Sequence, residues 1–70
     1  MKLVLNGRPH ESEAPDLDAL VRIEAEETGL DGPRGIAIAL NGVVIRRRDW
    51  ATTELTEGDR VEIVRAMQGG

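Results

Sequence analysis

The chain has 70 residues, no cysteine, a single aromatic residue and a formal net charge of −4. A chain of this length holds one domain with one small core. The lack of cysteine excludes disulfides and cysteine-based zinc sites. The acidic balance and the single aromatic residue, Trp50, argue against a nucleic-acid binder, which usually has a basic face and stacking aromatic side chains.

Catalytic and membrane functions also have little support in the sequence. His10 is the only histidine, so no histidine-based metal cluster or catalytic triad is expected, and no nucleophile–base pair is evident. The chain has no apolar run long enough to span a membrane and no signal-peptide pattern. We therefore expect a cytoplasmic protein that binds no metal, no nucleic acid and no membrane.

Two strands joined by a tight turn are predicted at the start of the chain. Side chains alternate between two faces over residues 1–6, which is typical of a half-buried strand. Asn6-Gly7 predicts a type I′ hairpin turn. The return strand, over residues 8–12, contains Pro9, which lacks a backbone donor and therefore belongs at a sheet edge. His10 on this edge strand is expected to be exposed and uninvolved.

A helix is predicted from about Leu17 to Thr28. Asp16 is a suitable N-cap because its carboxylate can accept hydrogen bonds from the first free amides of a helix. Gly29 follows as a helix-ending residue. Glu24 falls within the apolar stripe, where its stem is expected to be buried and its carboxylate to reach water. The apolar residues that define this stripe are Leu17, Leu20 and Val21.

Three more strands are predicted, over residues 36–40, 43–45 and 60–65. A second hairpin turn, Asn41-Gly42, joins the first two of them. The polar crossover that follows has an arginine run, residues 46–48, interpreted as a solvated turn, and it ends near Trp50, interpreted as a cover for the small core.

This order of elements predicts an α+β fold in two layers, because one helix can cover only one face of a sheet. Parallel pairing of the first and last strands would give the β-grasp architecture of ubiquitin-like domains, a mixed four- to five-stranded sheet on one main helix. We expect the β-grasp domain to comprise residues 1–66. Apolar residues expected on the helix-free sheet face, where a partner can bind, are Val4, Ala37, Ala39, Val64 and Ala66.

Residues 67–70 are predicted to form a flexible tail that ends in Gly69-Gly70. Two residues without Cβ make a thin strip that can enter a narrow slot in another protein. The four residues from Met67 onward reach roughly 13 Å when fully extended. The group at the tip is the α-carboxylate of Gly70, so the chemistry is expected to be done to this chain by another protein.

Several motifs occur in order along the whole chain and together resemble the ThiS family of sulfur carriers. They are Leu5-Asn6-Gly7, Ile36-Ala37-Ile38-Ala39-Leu40-Asn41-Gly42, Arg48-Asp49-Trp50, Glu57-Gly58-Asp59-Arg60-Val61-Glu62-Ile63 and the terminal Gly69-Gly70. Arg46 departs from the pattern, since family members often have proline there.

The resemblance implies a carrier rather than an enzyme, with no bound cofactor. A ThiF-like enzyme would use ATP to adenylate the Gly70 carboxylate. Sulfur from cysteine, supplied through a desulfurase, would then replace AMP and give a thiocarboxylate. The ThiG-like thiazole synthase of thiamine biosynthesis would accept that sulfur. Gly69, Gln68 and Met67 would give the reacting group access to the partner enzymes.

Three alternatives remain open at the level of sequence. A MoaD-like carrier for molybdopterin synthesis would use the same chemistry, although such chains tend to be longer and richer in aromatic residues. A ubiquitin-like modifier would be joined to lysines of other proteins through Gly70. A β-grasp interaction module would carry the two terminal glycines by accident.

Overall fold

A computed structural model of the chain describes residues 1–28 and 35–65 and contains five strands, one α-helix and one 3-10 helix in this part. The strands form one mixed sheet in the order β2-β1-β5-β3-β4, in which β1 and β5 are parallel and the other neighbours are antiparallel. The elements are β1 (Lys2–Leu5), β2 (Arg8–Glu11), α1 (Leu17–Thr28), β3 (Ile36–Leu40), β4 (Val43–Ile45), the 3-10 helix (Arg47–Thr52) and β5 (Arg60–Arg65).

Helix α1 begins and packs as its sequence predicts. The Oδ1 atom of Asp16 accepts a hydrogen bond of 2.8 Å from the backbone N–H of Ala19, which satisfies one of the free amides of the first turn. Leu17 and Leu20 are fully buried and Val21 is 2% exposed. The apolar stripe therefore lies against the sheet. The predicted end at Gly29 lies outside the described residues.

Both Asn-Gly pairs form the tight turns that their sequence predicts. Asn6 and Gly7 have φ angles of 50° and 80°, and Asn41 and Gly42 have φ angles of 51° and 87°. Positive φ at both central residues is the mark of a type I′ turn, whose twist matches that of the strands it joins. These turns fix the register of the hairpins β1-β2 and β3-β4.

The core lies between α1 and one face of the sheet, and Trp50 closes it at one side. Trp50 is 1% exposed, and its indole N–H donates a hydrogen bond of 2.9 Å to the carbonyl oxygen of Ile45. The interpretation of Trp50 as a cover for the core is confirmed. The buried residues that form the core cluster are Leu3, Ala14, Leu17, Leu20, Val21, Ile38, Trp50, Leu55 and Val61.

Strand β5 occupies the centre of the sheet and is shared unequally between its neighbours. Its first residues pair with β1, with Val4 opposite Arg60 and Leu5 opposite Val61. Its pairing with β3 extends from Val61 to Arg65. The two hairpins are therefore offset along β5 and leave its carboxyl end beside β3.

The expectation that His10 is exposed was wrong. Its Nε2 atom lies 3.2 Å from Oε2 of Glu24, and the two side chains are 28% and 15% exposed. Strand β2 and helix α1 bring the two residues together, so His10 is half-buried and paired. Glu24 is held at this contact rather than extending into water.

Candidate functional site

The helix-free side of the sheet, called here the open face, presents small and β-branched side chains to solvent. Register places Ala37 opposite Val64 on β3 and β5, and Ala39 opposite Val44 on β3 and β4. Val64 is 56% exposed and Val44 is 72% exposed. Adjacent exposed apolar side chains of this kind are typical of a surface that binds another protein.

Four of the five residues predicted for this face lie in the described part of the chain. Ala37 and Val64 are exposed, whereas Val4 and Ala39 are half-buried. Ala66 lies outside the described residues. Alternation along the central strand agrees, because Val61 is fully buried on the helix side and Val64 is exposed on the other. The role of these residues in binding a partner stays a prediction.

Sequence reasoning missed Val44, the most exposed of the large apolar residues identified on the open face. A strand of three residues gives too little alternation to assign its faces. Register supplies the missing information, because a two-residue turn at Asn41-Gly42 places Val44 opposite Ala39. Val43, on the same edge strand, is also 61% exposed.

A shallow depression of about 520 Å³ lies at the end of this surface between the two tight turns. Val4 and Val61 contribute to its lining, and the charged residues Arg60 and Glu62 stand beside them. Gly7 and Gly42 form part of the rim, and neither has another atom within 4 Å of the position where a Cβ would lie.

The asparagines of the two turns also hold the central strand in place. The Oδ1 atom of Asn6 accepts a hydrogen bond of 2.8 Å from the backbone N–H of Ile63. On the other side of β5, Oδ1 of Asn41 accepts one of 2.9 Å from the N–H of Arg60. These side chains thus replace backbone hydrogen bonds to β5 at the points where β1 and β3 end in their turns.

A charged hydrogen-bond network fixes the start of β5. The carboxylate of Asp59 accepts hydrogen bonds from the backbone N–H of Thr56 at 2.9 Å and from the amide of Asn41 at 3.1 Å. Partial burial raises the pKa of Asp59, but these hydrogen bonds favour its charged form more strongly and hold the pKa below its usual value. The position at which β5 begins is therefore fixed by side chains.

The residues predicted to react or to give access to the reacting group, Gly70, Gly69, Gln68 and Met67, lie outside the described residues. Strand β5 ends at Arg65, five residues before Gly70. The chain therefore enters this segment directly from the central strand of the sheet.

The described residues contain no metal cluster and no membrane-spanning helix. Within residues 1–28 and 35–65, no group of three or more His, Cys, Asp or Glu residues is placed to hold a metal ion. In the same ranges, no helix is long and apolar enough to cross a membrane. Helix α1, the one α-helix in these ranges, has 12 residues.

A mixed sheet with a parallel central pair and one α-helix across one face defines a β-grasp domain of the ubiquitin-like class. The predicted fold class is thus confirmed. The model of the ThiS family matches residues 4–70. The chain belongs to the ThiS family, whose members are small sulfur carriers of thiamine biosynthesis.

Solved structures and a curated relative agree with this assignment. The crystal structure of the thiamine biosynthesis protein ThiS from Geobacter metallireducens is 30% identical, with full coverage of both chains and a TM-score of 0.72. An NMR structure of a thiamine biosynthesis protein from the same organism is 30% identical, covers this whole chain and 88% of that one, and has a TM-score of 0.68.

A thiazole synthase from Magnetococcus marinus also contains a stretch similar to this chain. The two are 34% identical over 71 residues, which include the whole of this chain and 20% of that protein. The chain therefore spans about a fifth of the length of this relative.

Proposed function

We propose that this chain carries sulfur for the thiazole ring of thiamine as a thiocarboxylate on Gly70. The observation that carries the proposal is the ThiS-family match over residues 4–70, which includes the terminal Gly69-Gly70. The chain is the substrate of the enzymes that load and unload it. It acts in the cytoplasm, where ATP is available to the loading enzyme.

The loading chemistry takes place in two steps on the Gly70 carboxylate. An oxygen of the carboxylate attacks the α-phosphorus of ATP, and pyrophosphate leaves. A thiol reductant releases hydrosulfide from the persulfide that a desulfurase forms with the sulfur of cysteine. Hydrosulfide then attacks the acyl carbon, AMP leaves and the thiocarboxylate remains. Activation is needed because a carboxylate is a poor acyl donor, while AMP is a good leaving group. A ThiF-like enzyme binds the ATP, so this chain needs no cofactor of its own.

The geometry of β5 supports this role. The strand is fixed by neighbours on both sides and by the side chains of Asn6 and Asn41. A partner that docks on the open face would therefore meet the tail at a defined origin, Arg65. Precise placement of the reacting atoms contributes much of an enzyme's rate acceleration, so a rigidly held start of the tail favours the reaction.

A thiazole synthase is the acceptor that the comparisons favour. A protein of that name in Magnetococcus marinus includes a segment 34% identical to this chain. Joining of a carrier to the enzyme that uses it keeps the two at high effective concentration. A ThiG-like thiazole synthase as a separate partner of this chain is consistent with that arrangement.

Intact mass spectrometry tests the proposal. Incubation with ATP, a ThiF-like enzyme and a sulfide source is expected to replace one oxygen of the chain by sulfur. Deletion of Gly70 is expected to abolish the exchange, because the remaining carboxylate lies about 3.3 Å short of its position. A misplacement of about 1 Å can already cost about 10²-fold in rate.

Arg8→Ala is the matched control, because Arg8 is exposed on the edge strand β2. It is expected to load at the wild-type rate. Two results would contradict the proposal. One is normal sulfur incorporation by the chain that lacks Gly70. The other is no incorporation by the full chain when the same ThiF-like enzyme loads its own carrier protein.

A further inference from the structure

The two Asn-Gly turns each place a side-chain amide beside a glycine at the surface. Asn6, Gly7, Asn41 and Gly42 are all exposed. In an Asn-Gly pair the backbone nitrogen of the glycine can attack the side-chain carbonyl carbon of the asparagine, because glycine has no side chain that blocks the approach. Neither Gly7 nor Gly42 has another atom within 4 Å of the position where a Cβ would lie. A ring formed by this attack therefore has room at both turns.

The reaction is deamidation, and its only co-reactant is water. The nitrogen of Gly42 bonds to Cγ of Asn41 and loses its proton to solvent, while the bond from Cγ to Nδ2 breaks and ammonia leaves with a proton taken from solvent. Water then opens the five-membered ring and gives either aspartate or an isoaspartyl linkage. Neither product has a side-chain N–H group. The ring closes when the turn opens briefly, as the exposed tips of hairpins do.

The amide of Asn41 uses both of its ends to hold the start of β5. Its Oδ1 atom accepts a hydrogen bond of 2.9 Å from the backbone N–H of Arg60. Its Nδ2 atom donates one of 3.1 Å to Oδ1 of Asp59. A carboxylate at position 41 keeps an acceptor for Arg60, but it removes the donor to Asp59 and places a second negative charge beside that carboxylate. Like charges at this distance repel each other.

The carboxylate of Asp59 connects the turn at Asn41 to the loop that precedes β5. Its Oδ2 atom accepts a hydrogen bond of 2.9 Å from the backbone N–H of Thr56. Arg60, the next residue, is the first of the strand. Loss of the donor at Asn41 therefore acts at the point where the central strand of the sheet begins.

Asn6 occupies the same type of turn, but its amide has a different contact. Its Oδ1 atom accepts a hydrogen bond of 2.8 Å from the backbone N–H of Ile63. Aspartate has an oxygen in the same place, and a charged acceptor binds an N–H group more strongly than a neutral one does. Type I′ turns accept Asp-Gly as well as Asn-Gly. The aspartate product is therefore tolerated at Asn6.

We propose that Asn41 is a modification site at which deamidation releases the start of β5. One exposed amide thus controls a strand that has neighbours on both sides, so a reaction at the surface weakens the whole sheet. The aspartate product of the same reaction at Asn6 leaves the strand held. The inference concerns the contact of Asn41 with Asp59 and Arg60 and does not depend on sulfur loading.

Two substitutions reproduce the aspartate product at each turn. Asn41→Asp is expected to raise the equilibrium constant for unfolding at least about tenfold in a urea titration, because it removes a hydrogen bond to a charged group and adds a repulsion. Asn6→Asp is the matched control, since it makes the same change in the same type of turn. It is expected to change the constant less than about threefold. Far-UV circular dichroism verifies that each variant is folded.

An exchange of the two side chains isolates the contact between Asn41 and Asp59. Asn41→Asp in an Asp59→Asn background restores one amide and one carboxylate, so that the new amide can donate to the new carboxylate. In this background Asn41→Asp is expected to raise the unfolding constant less than about threefold. A tenfold rise in both backgrounds would mean that the contact with Asp59 is not what holds the strand, and it would overturn the inference.

Peptide mapping by mass spectrometry tests whether the reaction occurs on the folded chain. The wild type is incubated for weeks at mildly alkaline pH, where the glycine nitrogen loses its proton more readily. The peptide that contains Asn41 is expected to gain the mass difference between an oxygen atom and an NH group. An Asn41 that stays intact while a synthetic peptide of residues 36–45 is deamidated would overturn the inference. Equal losses of stability in Asn6→Asp and Asn41→Asp would do the same.

Discussion

Aspartate substitutions at Val64 and Val61 test which side of β5 faces a partner and which side faces the core. Val64 is 56% exposed, so less than half of its side chain is withdrawn from water. Full burial of a valine contributes about 1.5–3 kcal/mol, and aspartate costs up to about 1 kcal/mol in strand propensity. Val64→Asp is therefore expected to lower the free energy of unfolding by about 1–2 kcal/mol.

The same substitution at Val61 is expected to remove most or all of the stability of the fold. Val61 is fully buried, and an unpaired charge in the core costs more than about 4 kcal/mol. A domain of this length has about 4–10 kcal/mol of stability in total. Urea titration followed by Trp50 fluorescence measures both variants, since Trp50 is buried in the folded chain.

Binding is measured on the folded Val64→Asp variant by titration calorimetry with a ThiF-like enzyme. A charge among the exposed apolar side chains of the open face is expected to raise Kd at least about tenfold, which corresponds to about 1.4 kcal/mol. A loss of several kcal/mol in folding stability would place Val64 in the core and refute the assignment of faces. A folded variant with unchanged Kd would exclude the open face from docking.

Three further predictions concern stability. Trp50→Ala is expected to cost about 3–5 kcal/mol, measured by urea titration with far-UV circular dichroism. Asp16→Ala removes the helix N-cap and is expected to cost about 1 kcal/mol in the same assay. Glu11 raises the pKa of the Met1 amine above 8.0. The ion pair between them therefore stabilises the fold below about pH 8, and this stabilisation is lost as pH rises through the pKa of the amine in the folded chain. Glu11→Gln is expected to remove this pH dependence of the urea midpoint, whereas an unchanged profile would exclude the ion pair as its source.

Local signals were sufficient to predict most of the fold. The start of α1 follows from Asp16 as its N-cap and from the apolar stripe that begins at Leu17. The two Asn-Gly turns fix hairpin registers because few residue pairs adopt positive φ twice in succession. Alternation along β5 then identifies its buried and exposed faces.

Contacts between distant elements were not predictable in the same way. His10 meets Glu24 only because β2 lies beside α1, and no local pattern encodes that proximity. Asn6 and Asn41 were predicted as turn residues, but their hydrogen bonds to β5 depend on a strand many positions later in the chain. The turn at Asn41-Gly42 determines which face Val44 occupies, but its high exposure also depends on the position of β4 at an edge of the sheet.

The central position of β5 determines how the domain would respond to a pull on its terminus. We consider a pull along the axis of β5, such as a partner would exert if it held the terminal residues in a slot. Ladders on both sides, with β1 and with β3, oppose that force in shear, so many hydrogen bonds must break together rather than one at a time. A terminal strand at the sheet edge would instead peel away bond by bond. The domain would thus keep its fold if a partner pulled on its terminus.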